Sequence, residues 1–370
     1  MRAYLPLIVA LLLLPLARAA AAQPVKVLHL KVAGAIDCGR MADDFEAELA
    51  RALSDGVGFV LLELDGKAAR PDVLWRMGRA LRESGLPSAA LLGSGPGASV
   101  GAGQVALGLL TDAVYLKPRT SIAAEGDAER ALRALAPPGT DWERVRRELG
   151  EAVGAALGRR GGSADLVEVV VSPSRDLWAV ESGSGLAVSP EPGQSSTRVV
   201  HAEAGELRRV AVDPVTAVSL KLVDGTAAGA GGGIGAVFQA RGVTPAGRER
   251  RTIQSGLHSA RTRAVRALRE AAVEVQRIKA ELNFRPRLDR TITDRDYRAA
   301  GELALSRIAA LDAALADLDA ALADYPELLV TEPSPRSTRP PADSIPGKLQ
   351  AVRRDLEKHR AVAQEYATRR

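Results

Sequence analysis

The chain predicts an α/β fold, a parallel sheet with covering helices, followed by an all-α helical hairpin or coiled-coil region. Three observations predict it. Apolar runs alternate with segments of helical spacing from Val25 to Leu116. Two of these runs, Val57 to Leu64 and Pro87 to Leu92, read as strands buried on both faces, the habit of a parallel sheet. From about Gly247 onward, apolar residues recur every three and four positions in a polar, Ala-rich background.

Each element has its own local reason. Val25 to Val32 (VKVLHLKV) alternates and is rich in Val and Leu, hence a strand; Gly34-Ala35-Ile36-Asp37 turns the chain. Met41 to Leu53 places Phe45, Leu49 and Leu53 at helical spacing. The strand ending at Leu64 is followed by the turn Asp65-Gly66-Lys67-Ala68-Ala69, a helix over Asp72 to Ser84, and the strand ending at Leu92. A Gly/Ser-rich turn, Gly93 to Gly97, leads into a small-residue helix start at Ala98 to Gly103, an apolar helix and a strand at Ala113 to Leu116. This β-α-β-α-β-α-β order implies a parallel sheet whose ligands would sit at the carboxyl ends of its strands.

Beyond Asp127 the pattern is helical, with a strong amphipathic segment at Trp142 to Leu157 and a second at Ala164 to Val171. Short strands are expected at Asp176 to Glu181 and Thr197 to His201, and Asp213 caps a short helix that has Pro214 at its first position. Gly225 to Gly235 nearly matches a dinucleotide fingerprint at Gly231, Gly233 and Ala236. No convincing strand precedes it, so it reads as a flexible loop. Three helices fill the C-terminal region. Their seams are Leu257 to Leu282, Ile308 to Leu322 and Leu349 to Tyr366, with Pro326 stopping the second and a Pro/Ser-rich linker before the third. They suit a hairpin with a docked helix, and equally self-association or a protein partner. The domains expected are 1–22, 23–242, 248–325, a linker at 326–347, and 348–370.

Composition narrows the function. The net charge of +5 and pI near 9.5 come from interspersed Arg, Glu and Asp, with no basic block beyond Arg248 to Arg251, which argues against a nucleic-acid partner. Residues 1–22 read as a secretory signal peptide. Arg2 is followed by the apolar run Leu5 to Leu16 and by small-residue cleavage sites, and the run falls short of the ~20 apolar residues that span a bilayer. The expected setting is therefore exported and periplasmic, membrane-proximal at most, with an uncleaved N-terminal anchor as the alternative. Cys38 is the only cysteine, so it has no internal disulfide partner and reads as a buried small residue.

The candidate chemistry lies between Gly93 and Ala124. A glycine-rich helix start allows close approach of a ligand, and its unpaired N–H groups favour negative charge, which suits a serine nucleophile and an oxyanion. Ser99 is the best placed of the serines in this stretch, and His201 is the histidine available as a base. Asp37 and Asp65, at strand ends, read as turn and capping carboxylates, and no metal site is expected.

The order of these motifs from about Val25 to Gly242 resembles the ClpP/crotonase superfamily, and within it the NfeD-type membrane-bound ClpP-class serine proteases. The residues that carry the resemblance are Gly34-Ala35-Ile36-Asp37, the turn Asp65 to Ala69, Pro96 to Gly103, Thr111 to Ala123, and Gly161 to Val171. The resemblance implies acyl transfer by a serine at a helix start, a neutral lysine as base and backbone N–H groups holding the oxyanion. Here the nucleophile position falls on Gly101 or Ala102, depending on alignment. The paired oxyanion glycines are replaced by Ala68 and Ala69, and no lysine occurs between Lys117 and Lys221. The expectation is a catalytically inactive homologue, an exported scaffold or interaction protein that forms a homo-oligomer and uses no cofactor. The alternative is a divergent serine endopeptidase with Ser99 as nucleophile. A crotonase-like acyl-CoA enzyme fits least, because an exported chain has little access to CoA.

Overall fold

The computed structural model describes residues 24–93, 95, 98–125, 131–137, 139–171, 175–182, 185–202, 208–228, 233–283, 292–330 and 343–369. The signal-peptide reading of residues 1–22, most of the turn at 94–97, residues 229–232 of the Gly-rich loop and most of the Pro/Ser-rich linker lie outside them. The chain forms two compact units. One comprises residues up to 133 together with 141–255, and the other 134–140 together with 256 onward.

The first unit is built on a six-stranded sheet whose described ladders are all parallel. In chain order its strands are β1 (Val25–Ala33), β2 (Phe59–Leu64), β3 (Ser88–Leu92), β5 (Ala113–Leu116), β11 (Gly225–Thr226) and β12 (Pro245–Gln254). The spatial order is β11-β5-β3-β2-β1-β12. Every residue of β2 and β3 is buried, which is why these strands read as apolar runs. Helices α1 (Gly39–Ser54), α2 (Pro71–Ser84) and α3 (Ala102–Leu109) cover one face. α3 lies directly on the sheet: a Cβ added at Gly108 would meet Leu92, Ala90 and Val114 at 3.2–3.5 Å. The other face, with Val27, Phe59, Leu61, Ala89, Leu91 and Ala113, buries Val237 and Phe238 of α7 (Ile234–Arg241).

A second six-stranded sheet belongs to the same unit. Its strands are β4 (Ser99–Val100), β6 (Ser121–Glu125), β7 (Leu177–Ser182), β8 (Gly185–Ser189), β9 (Thr197–Ala202) and β10 (Arg208–Val212), in the order β4-β6-β10-β9-β7-β8. Helices α4 (Trp142–Arg159) and α5 (Leu166–Val170) lie between β6 and β7 in sequence, and α6 (Pro214–Ser219) follows β10. Asp213 caps α6 as expected, its carboxylate accepting from the backbone N–H of Val215 and Thr216.

Three differences from the sequence reading have physical causes. Residues 245–254 form a strand parallel to β1, so the helical region begins at Leu257 rather than at 248. This strand is at a sheet edge and exposed along nearly its whole length, so PAGRERRTIQ carries no alternation of apolar residues to reveal it. The Gly-rich stretch is not loop throughout: its first two residues form β11, too short for any periodicity, and α7 begins at Ile234. Ser99 stands in β4 rather than on a helix start, because the helix begins at Ala102 with Gly101 as its N-cap.

The second unit is a three-helix bundle of α8 (Leu257–Leu282), α9 (Asp294–Ala323) and α10 (Ile345–Ala367). The predicted seams meet in one core, with Leu268, Val275 and Ile278 against Ile308, Leu315, Leu318 and Leu349, Val352 and Leu356. Thr293 and Asp296 cap α9 reciprocally. Arg307 of α9 reaches Glu274 and Glu281 of α8, while Gly256, just before α8, sits against Tyr325, just past α9, so those two helices run antiparallel. Asp312 and Asp319 of α9 pair with Arg360 and Arg353 of α10. No helix among the described residues is long and apolar enough to cross a membrane.

Candidate functional site

The turns after β1 and β2 and the start of α3 meet at the carboxyl end of the parallel sheet. Gly34, at φ +77°, gives its N–H to Asp65 Oδ1 at 2.9 Å, while Lys31 pairs with the other oxygen at 3.0 Å. Asp65 is therefore engaged as a turn carboxylate. Ile36 and Ala69 form a parallel bridge: Ile36 N–H donates to the Ala68 carbonyl at 3.0 Å, and Arg70 N–H to that of Ile36 at 2.7 Å. Gln104, fully buried on α3, ties the turns together. It accepts from Gly66 N–H at 2.7 Å and donates to the Gly34 carbonyl at 2.8 Å.

This stitching leaves no room where the sequence places a nucleophile. Gly101 gives its N–H to the Gly66 carbonyl at 2.8 Å, and a Cβ at Gly101 would fall 2.2 Å from the Lys67 carbonyl oxygen. One at Gly66 would fall 1.8 Å from the Gly34 carbonyl oxygen and 1.9 Å from Gln104 Nε2, and one at Gly103 would fall 2.9 Å from the Ala69 methyl. Ala69 and Ala102 are buried, and Ala68 is half-buried beside them. Glycine is thus required at 66 and 101 because backbone packs on backbone. At neither position is φ positive, so left-handed geometry is not the reason.

Ser99 and His201 are not brought together. Ser99 is half-buried, pairs in β4 with Ser121 of β6, and its hydroxyl meets no hydrogen-bonding side chain among the described residues. His201 of β9 pairs with Arg209 of β10, which pairs with Glu125 of β6. The two residues are therefore three strand spacings apart across the sheet and four residues apart along it. At ~4.8 Å per strand and ~3.3 Å per residue, the separation is about 20 Å, far beyond proton-transfer reach.

An ionisable cluster lies on the other, α7 face of the parallel sheet. His29 of β1 is fully buried, with Nε2 2.9 Å from Glu63 Oε2 of β2. Lys117, just past β5, donates to Glu63 Oε1 at 2.6 Å. The Glu63 carboxyl falls from its ordinary 4.5 to about 2. The His29 hydrogen bond is the main cause and the Lys117 hydrogen bond and charge add to it, against burial, which acts the other way. An ionised carboxylate only accepts, so Nε2 carries the shared proton. His29 Nδ1 is buried without a hydrogen-bond partner among the described residues. Such a carboxylate stays charged at neutral pH and supplies no general acid there. The sequence reading missed this cluster. Its signal was one carboxylate inside the apolar run FVLLEL, since a charge buried in a central strand demands partners. Among the described residues no group of His, Cys, Asp and Glu is arranged to hold a metal.

No protein-family model matches the chain, and no curated protein matches it. Among solved structures it is similar to the 1510-N membrane protease specific for a stomatin homolog from Pyrococcus horikoshii. Identity is 13%, over 62% of this chain and 93% of that one, with a TM-score of 0.38. It is also similar to ClpP1 from Listeria monocytogenes, at 9% identity over 54% of this chain and 89% of that one, with a TM-score of 0.34. Residue roles in this chain rest on its own geometry.

Proposed function

We propose that the α/β unit is a ClpP/crotonase-type domain without hydrolytic chemistry. It serves as an exported scaffold or interaction module of the cell envelope, self-associating and meeting protein partners through the C-terminal helices. The observation that carries this reading is the contact at Gly101. A nucleophilic serine there needs a Cβ where the Lys67 carbonyl stands. The alternative position, Ala102, is buried and bears a methyl group. Acyl transfer needs an approachable nucleophile, a base within about 3 Å of it and free N–H donors aimed at the oxyanion. In this junction the Gly101 N–H is already given to the Gly66 carbonyl. What remains is a rigid, close-packed platform, which fits a binding module better than a turnover site; fold alone fixes neither.

The test is labelling of the folded protein, without residues 1–22, by a broad fluorophosphonate serine probe, in parallel with Ser99→Ala. The expected result is no labelling above a denatured control in either protein. Labelling that disappears in Ser99→Ala would overturn the reading and establish a serine hydrolase with an activated Ser99.

A further inference from the structure

Strand β12 forms one edge of the parallel sheet and is exposed at every residue except Glu249 and Ile253. Its orientation follows from its neighbours. Ile253 is buried and Arg251 pairs with Glu48 of α1, so residues 249, 251 and 253 face the α1 side. Arg248 is in register with Val27, Arg250 with His29 and Thr252 with Lys31, so these three share the α7 face. The backbone alternates in the same way. In β1, the carbonyls of Lys26 and Val32 accept from the N–H groups of Gly58 and Asp65, which flank β2, whereas Val25 N–H donates to the Thr244 carbonyl. Odd-numbered residues of β1 therefore turn their peptide groups toward β12. In a parallel ladder each of them bonds the two residues flanking its partner, here Gly247, Glu249, Arg251 and Ile253. The N–H and C=O groups of Arg248, Arg250 and Thr252 are left pointing out of the sheet.

The residues with outward peptide groups also carry the unpaired charge. Arg251 is held by Glu48 and Glu249, whereas neither Arg248 nor Arg250 has an ion pair or a side-chain hydrogen bond among the described residues. An extended segment that pairs with this edge sets alternate side chains directly beside Arg248 and Arg250. Carboxylates two residues apart meet both cations. A second copy of β12 is the wrong occupant. Paired antiparallel about a twofold axis at position 248, 249 or 250, it would set Arg248 on Arg248, Arg248 on Arg250 or Arg250 on Arg250, and like charges directly opposite each other are destabilising. The same two arginines that repel a copy of this edge select an acidic strand. We propose that β12 is a docking edge for an extended acidic segment of a partner protein, which adds a seventh strand to the sheet with carboxylates opposite Arg248 and Arg250. This surface is independent of whether the α/β unit is catalytic.

The experiment is binding of a fluorescein-labelled peptide, Thr-Val-Glu-Val-Glu-Val-Thr, to the full chain without residues 1–22, measured by fluorescence anisotropy. The expected result is saturable binding that is lost when the peptide is N-methylated at every residue, which keeps its charge and removes its donors. Exchanging its glutamates for lysines should abolish binding as well. Variants at exposed positions form the second arm. Thr252→Pro removes one outward N–H, a change that an edge strand tolerates, and leaves both arginines; it should weaken the peptide about tenfold. Arg248→Glu combined with Arg250→Glu should weaken it to a similar degree and bind the lysine peptide instead. Urea unfolding checks that the variants keep the stability of the parent. A parent protein that does not bind the glutamate peptide would overturn the proposal. So would equal binding of the N-methylated form, since charge alone would then hold it. A sedimentation mass that falls twofold in Thr252→Pro would overturn it too, because a second copy would then occupy the edge. Fluorophosphonate labelling of the same protein tests the catalytic reading separately.

Discussion

The two faces of the parallel sheet treat polar chemistry in opposite ways. On the α3 face, at the Gly66–Gly101 junction, backbone packs on backbone and the buried Gln104 amide serves only backbone groups. On the α7 face, buried His29 and Glu63 are joined by half-buried Lys117. The first region resembles a reaction site in sequence but has no space for a nucleophile. The second has the reactive groups, but they are spent on one another. Motif order and usable chemistry have therefore separated in this chain: one face keeps the turns and the other the charges.

The largest effect that sharpens this contrast is expected from Glu63→Ala. It leaves a buried histidine and a lysine without their shared carboxylate, a loss of about 3–5 kcal/mol in urea unfolding. If the variant were as stable as the parent, the cluster would be incidental to the fold. The pH dependence follows from the same group. Its folded-state value, about 2, lies below the unfolded 4.5. Its contribution is therefore complete above about pH 4.5 and is lost as pH falls toward 2. Glu63→Gln should flatten the urea midpoint across that window, and an unchanged slope would assign acid sensitivity to other carboxylates.

Gly101→Ser comes next. Restoring a nucleophile-type residue is expected to cost about 2–3 kcal/mol through overpacking against the Lys67 carbonyl, with no gain of fluorophosphonate labelling. A stable, labelled variant would collapse the contrast, because the junction would then be a site lacking only its serine. The smallest effect sets the scale of an ordinary local contact. Asp213→Ala removes the cap of α6 and should cost about 1 kcal/mol by the same unfolding measurement.

Much of the fold was legible because burial writes itself into the chain. FVLLEL and SAALL are strands with no solvent side, and α4 and the three bundle helices each keep one apolar stripe. The second sheet was only half legible. β7 and β9 were expected, whereas β6, β8 and β10 are five-residue segments too short to show a clear alternation, and the pairing of β6 with β10 joins segments far apart in the chain. The turns flanking the candidate site were legible as motifs. The loss of space at Gly101 was not, since glycine in sequence permits close approach without saying what approaches.

By itself the sequence determined the alternation of strand and helix up to Leu116 apart from the two-residue β4, the three helical seams and the absence of a serine at positions 101 and 102, because these depend on local period and residue identity. Tertiary structure alone decided the rest. It set β12 beside β1, put about 20 Å between Ser99 and His201, filled the Gly101 position with a carbonyl, and joined His29, Glu63 and Lys117. Each of these depends on which distant backbone segments pair and how closely they pack, and no local pattern of residues encodes that.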